Sequence, residues 1–145
     1  MDNNIISNHL YNDTPAQALN FVDTITTEKE LFLYAYNYNW DNGFDIPNAI
    51  LKNSKCSLSV ALLLFSLSDG YMYLQYKKCS EGTKAWSLFI KNLYERIINK
   101  DFYDGITAFN PQLSKVEEYK IKKILTDEES IFITPISGEN CYITL

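Results

Sequence analysis

Histidine occurs once in this chain, cysteine three times, proline four times and glycine five times, and 13 basic residues stand against 18 acidic ones. Each shortage closes a class of function. The lone histidine, His9, lies in a polar N-terminal stretch, so a two-histidine metal site cannot be built, and a Ser-His or Cys-His pair would have to recruit that arm. Cys56, Cys79 and Cys141 are odd in number, widely spaced and free of any CxxC pair. That pattern excludes a disulfide framework and a zinc ribbon and fits reduced thiols in a cytoplasm. With a net charge of -5 and a pI near 4.8, the chain lacks the clustered cations that grip a phosphate backbone, so nucleic acid is not an expected partner. The same balance suits a basic partner. The start "MDNNIISNHL" has no basic region followed by an apolar one, as a signal peptide would. The most apolar run, Leu58 to Leu67, holds two serines and is far short of the roughly 20 residues that cross a bilayer. No membrane association is expected, and the expected location is cytoplasmic.

What is present is apolar bulk: 46% hydrophobic residues, with 11 Tyr, 8 Phe and 2 Trp in 145 positions. A chain of this length buries about 68% of its unfolded surface and sustains one core. After a polar arm over residues 1–12, Asp13 or Thr14 can cap a helix with Pro15 at its first position, followed by Ala18, Leu19, Val22 and Ile25 at helical spacing. Thr27 and Glu30 stand in the capping-box relation before a second helix, which is apolar nearly all round and ends near Asn37 to Trp40. A third, short helix starts at Pro47. A fourth is capped by Ser57 and stopped by Gly70, and its residues 60 to 65 are apolar without a break, the pattern of a helix at the centre of a bundle. "YMYLQYKK" continues as helix and "CSEGT" reads as a loop. In "KAWSLFIKNLYERIINK" Trp86, Phe89, Ile90, Leu93, Tyr94 and Ile97 share one face. "DFYDGITAFNPQ" carries connection signals, and "LSKVEEYKIKKIL" is a last helix with acids first and lysines last, as its dipole favours. In the tail, β-branched and aromatic residues flank Ser137 to Asn140, which predicts a hairpin over residues 131–145 with an edge strand at Pro135. The expected fold is mainly α, a compact single-domain bundle of about six helices with a flexible arm over residues 1–12 and a small C-terminal β-hairpin.

The densest chemistry is the stretch "YNYNWDNGFDIP". A calcium loop needs a glycine at its sixth position and a glutamate at its twelfth. Counted from Asn37 the glycine arrives one place late and the twelfth residue is Asn48. Counted from Asp41 these positions hold Ile46 and Lys52. The stretch is instead read as a helix corner: Asn42-Gly43 is a turn pair, Asp41 bonds the backbone two residues on, Asp45 caps the next helix, and Trp40 and Phe44 anchor the corner in the core. Trp40, Asp41, Gly43 and Asp45 are therefore assigned a structural role. No phosphate-binding, nucleophile-elbow or zinc-protease motif occurs. The acidic groups Asp101/Asp104, Glu117/Glu118 and Asp127/Glu128/Glu129 fall on helix ends and loops, where carboxylates are ordinarily solvated. No catalytic residue, cofactor or metal is expected, and the chain is not read as an enzyme.

Tyr38-Asn39-Trp40-Asp41-Asn42-Gly43, the short helix from Ile46 to Leu51, Cys56 and Ala61-Leu62-Leu63-Leu64-Phe65 resemble a bacterial family of unknown function with an aromatic-Asn-Trp-Asp-Asp-Gly corner. The later stretch Leu93 to Gln112 is similar to that family's second block. Asn42 and Asn110 stand where the family usually has aspartates. The resemblance implies a small helical domain, and some members resemble immunity proteins that cover the active site of a secreted bacterial toxin. The expected function is an immunity protein that neutralises a cognate, basic, nuclease-like toxin domain, touching it through Asp101, Tyr103, Asp104, Glu117, Glu118, Asp127, Glu128 and Glu129. The alternative is a non-catalytic cytosolic adaptor or regulatory module.

Overall fold

The computed structural model describes residues 1–76 and 83–145. Among them are eight α-helices: α1 (Asn3–Asn12), α2 (Pro15–Thr24), α3 (Glu28–Asn37), α4 (Asp45–Lys52), α5 (Leu58–Leu67), α6 (Gly70–Tyr76), α7 (Lys84–Ile98) and α8 (Lys115–Lys122). Two 3₁₀ turns, Trp40–Asn42 and Glu128–Ile133, complete the set. The expected loop at Cys79 to Thr83, apart from Thr83 itself, which caps α7, and the extension of α6 through Lys77 and Lys78 lie outside the described residues.

The unbroken apolar run places α5 at the centre. Val60 to Phe65 are all buried, and α3, α6 and α7 all pack against this helix. Helix starts follow side-chain chemistry. Thr14, Thr27, Ser57, Thr83 and Ser114 each accept the backbone N–H of the third helical residue, so one orphan donor per helix is satisfied. The α5–α6 junction differs from expectation. Asp69 adopts a left-handed φ of 63° and Gly70 opens α6, with Phe65 packed against it where a side chain would stand.

The arm expected over residues 1–12 is helical. Asp2 caps α1 through Ile5 N–H at 3.0 Å, and Ile6 is buried against the core. Ile6 and Leu10 stand at helical spacing, but in a stretch otherwise rich in asparagine this single repeat is too short a pattern to announce the helix.

The C-terminal β-hairpin is not formed, and no strand occurs among the described residues beyond isolated bridges. Residues 128–133 wind into a 3₁₀ turn that buries the adjacent Phe132 and Ile133. The expected edge hairpin would send these neighbours to opposite faces and leave one of them to solvent. The following tail pairs with the segment after α7 instead. Ala108 N–H donates to Glu139 O and Glu139 N–H to Ile106 O, both at 2.8 Å, while Phe109 and Ile136 exchange bonds of 3.0 and 2.9 Å. Asn37 then clasps the last residues: its Nδ2 donates to Ile143 O at 2.8 Å and its Oδ1 accepts Leu145 N–H at 2.9 Å. Tyr11 of α1 donates to Leu145 O at 3.0 Å.

Gly138 is required by this pairing, because a Cβ there would meet Ile106 O and stand 2.8 Å from Thr107 C. These are backbone atoms of a paired segment, so Gly138→Ala is expected to cost about 1–3 kcal/mol through overpacking. Urea melts of the two proteins measure it, and an unchanged midpoint would remove the tail pairing from the fold's stability.

Candidate functional site

Burial sorts the carboxylates into two groups. Glu28, in the first turn of α3, is only 8% exposed, yet its oxygens accept from Ile106 N–H at 2.8 Å, Thr107 N–H at 3.3 Å and the Thr107 hydroxyl at 2.5 Å. Burial pushes its pKa up, but the hydrogen bonds from Ser57, Thr107 and Ile106 outweigh it and hold the carboxyl below its ordinary range. Glu28 is a peg that fastens the post-α7 segment to the starts of α3 and α5. The adjacent Lys29 pairs with Glu139 of the tail. These residues line a cleft of about 580 Å³ between α1, the start of α3 and the tail, together with Ile6, Leu33, Cys141 and Ile143. Burial pushes the Cys141 thiol up, and it pushes the Cys56 thiol up to about 12, so neither is held as a thiolate.

Glu129 departs from its expected role. It is 2% exposed, accepts the Tyr94 hydroxyl at 2.6 Å and Thr126 N–H at 3.0 Å, and belongs to the interior rather than to a contact surface. The sequence pattern of three consecutive acids gave no sign of it, because its main partner is 35 residues away. Asp101, Asp104, Glu117, Asp127 and Glu128 are exposed. Glu118 is half-buried and pairs with Lys122 at 2.8 Å. Tyr103 is exposed but tied by its hydroxyl to Lys55 O at 2.9 Å. Glu118 and Asp127 share the rim of one hollow beside α8. Asp101 to Asp104 lie on a different part of the surface, where Tyr103 O accepts the first N–H of α5.

The Tyr36 to Pro47 corner is built by other residues than the ones expected. Asn39, not Asp41, makes the side-chain turn, accepting Asp41 N–H at 3.0 Å. Asn42 ends the 3₁₀ turn with an ordinary backbone, and only Gly43 is left-handed, with φ 89° and ψ -162°, a region essentially closed to side chains. Asp45 does not cap α4. Phe44 holds that position without a side-chain bond, and Asp45 is an exposed first-turn residue. Trp40 anchors the corner as expected, edge-on to Tyr38, Phe44 and Phe89 with ring centres 5.4 to 6.1 Å away.

The corner does more than turn the chain. Together with α1 and α2 it encloses a cavity of about 220 Å³ lined by His9, Asp13, Tyr34, Tyr38, Asn39, Asn42 and Asp45 among others. His9 Nδ1 meets Asp13 Oδ2 at 2.8 Å, and the imidazole lies flat on Phe21 with centres 3.8 Å apart. Burial, with the Asp13 charge behind it, pushes Tyr34 up to about 12. Tyr38 is pushed equally high by burial and Asp45, while its hydroxyl donates to Gly43 O at 2.7 Å. The His9/Asp13 spacing of four is the one signal in the sequence that pointed here. No group of three or more metal-ligating side chains occurs among the described residues, nor a helix long and apolar enough to cross a membrane.

No curated protein and no solved structure matches the chain. Residues 26–98, just over half of it, match the family described as Domain of unknown function (DUF4274). The match runs from the cap of α3 through α7, so it takes in the corner and the central helix and leaves α1 and α2 outside. With that half of the sequence matched, the chain belongs to the DUF4274 family.

Proposed function

We propose that this protein is a non-catalytic binding protein, an immunity protein that covers a basic, nuclease-like bacterial toxin domain. The observation that carries the reading is the division of its carboxylates. Glu28 and Glu129, the two that are buried, are committed to the framework, whereas Asp104, Glu117, Asp127 and Glu128 face outward with no cation within ion-pair distance among the described residues. Exposed charges of one sign do little for stability, but they steer a complementary partner and orient its approach. The net charge of -5 agrees with a basic partner. The same features support the alternative of a cytosolic adaptor, which differs in having no toxin as its ligand.

The test is a pull-down of the tagged protein from its own organism grown with cells in contact. A stoichiometric basic fragment of a secreted protein is the expected catch, and housekeeping proteins alone would move the function to the adaptor reading. With the partner in hand, reversing the charge of Asp104, Asp127 and Glu128 together is expected to slow association at least tenfold at low salt, as rim charges do. An association rate unchanged by the triple reversal would take both parts of the surface out of the contact.

A further inference from the structure

The corner cavity has the makings of a ligand site in its own right. Tyr34 is 2% exposed and reaches the cavity wall, yet its hydroxyl has no hydrogen-bond partner among the described residues. The hydroxyl itself is not sealed off: the little surface that Tyr34 keeps opens on the cavity, so whatever fills that space completes its bond. Around it stand two carboxylates. Asp13 has a side chain about nine-tenths buried and is engaged on one oxygen by His9, while Asp45 is exposed at the mouth and makes no bond to the protein. Carboxylates accept only, and a phenol both donates and accepts, so a group that satisfies all three must bring several donors and no negative charge. The space is several times the roughly 30 Å³ of one water and below the roughly 300 Å³ at which drug-sized pockets begin. It suits a head group and a short stem, and Leu19 and Ile46 offer that stem an apolar wall.

We propose that the cavity formed by α1, α2 and the corner is a socket for one ammonium or guanidinium group on a short aliphatic stem. The head group lies between Asp13 and Asp45 and donates to the Tyr34 oxygen, with His9 held aside on Phe21 as part of the wall. Its source is either a free small amine or the lysine or arginine side chain of a protein. The inference stands apart from the immunity reading, since it rests on the cavity alone.

His9 is the only histidine, so its imidazole resonances report on this cavity without assignment of the rest of the chain. The full chain is titrated with n-butylammonium and with ethylguanidinium, with n-butanol and butyrate as uncharged and anionic counterparts. The expected result is a saturable shift of the His9 signals with the two cations alone. Affinity is expected to fall at least tenfold in Asp45→Asn and in Tyr34→Phe. Asp45→Asn changes an exposed group without a partner, so it keeps the fold even where Tyr34→Phe loosens the core. A capped, otherwise neutral pentapeptide with a central lysine or arginine separates the sources. Binding at least tenfold tighter than the free cations assigns the head group to a protein side chain, and equal or weaker binding assigns it to a free amine. Shifts that never saturate, that n-butanol reproduces, or that survive Asp45→Asn unchanged would overturn the proposal and leave the cavity to water. No toxin enters this experiment, so its failure leaves the pull-down result untouched.

Discussion

Glu28→Ala is expected to lower stability by about 3–5 kcal/mol, because it removes a charged acceptor and strands buried donors at once. Ile106 N–H, Thr107 N–H and the Thr107 hydroxyl all point at this carboxylate, and Thr107 has no exposure through which water could replace it. At this chain length about 2–4 °C of melting temperature goes with each kcal/mol, so thermal melts should fall by about 6–20 °C. Glu28→Gln separates charge from shape. Its folded pKa is lowered from the ordinary 4.5, so the unfolded chain takes up the proton first as pH falls. The contribution is complete above about 4.5 and is lost as pH drops through the lower folded value. The wild type should therefore lose stability on acidification below pH 5 more steeply than Glu28→Gln. Parallel acid limbs, or an alanine variant within 1 kcal/mol of wild type at pH 7, would show that the peg carries no weight.

Phe132→Ala is expected to cost about 3–5 kcal/mol, the range for emptying a fully buried phenyl site. Phe132 has no exposed surface and lies between Phe65 of the central helix, with centres 4.4 Å apart, and Tyr94 of α7 at 5.3 Å. Truncation removes both stacking partners' contact and leaves a cavity that α5 and α7 cannot close without moving. The measurement is urea unfolding followed by tyrosine and tryptophan fluorescence. A loss below about 1 kcal/mol is what a residue on a marginal edge hairpin would give, and it would return the tail to the arrangement that its composition suggests.

Local signals made much of this fold legible. Thr14 before Pro15, Ser57 before the apolar run, and the one-sided face from Trp86 to Ile97 each specify their helix within a dozen residues, and the structure carries all three. The illegible parts depend on distant partners. Nothing near Glu28 distinguishes it from an ordinary first-turn acid, since the groups that hold it are 78 and 79 residues away. Residues 131–136 have strand composition, but tertiary burial of two consecutive side chains overrides that preference. At the corner the turn itself was readable from Asn42-Gly43, whereas the cavity behind it needed α1, a helix whose single buried isoleucine leaves almost no pattern. Asp13 and Tyr34 come together only because that helix folds back on α3.

The clasp that Asn37 makes on the tail also sets an order of events. Its partners lie 106 and 108 residues further along, and the Tyr11 bond spans 134. A ribosome that has finished α3 must add α4 through α8 before the segment that locks it exists. Contacts of such separation are the slow ones to close. The core around α5 can gather from neighbours in the chain, but the seam between α1, α3 and the tail cannot close until residues 143 to 145 have been made. Until then the apolar side chains of that cleft, Ile6 and Leu33 among them, lack the covering that the tail supplies.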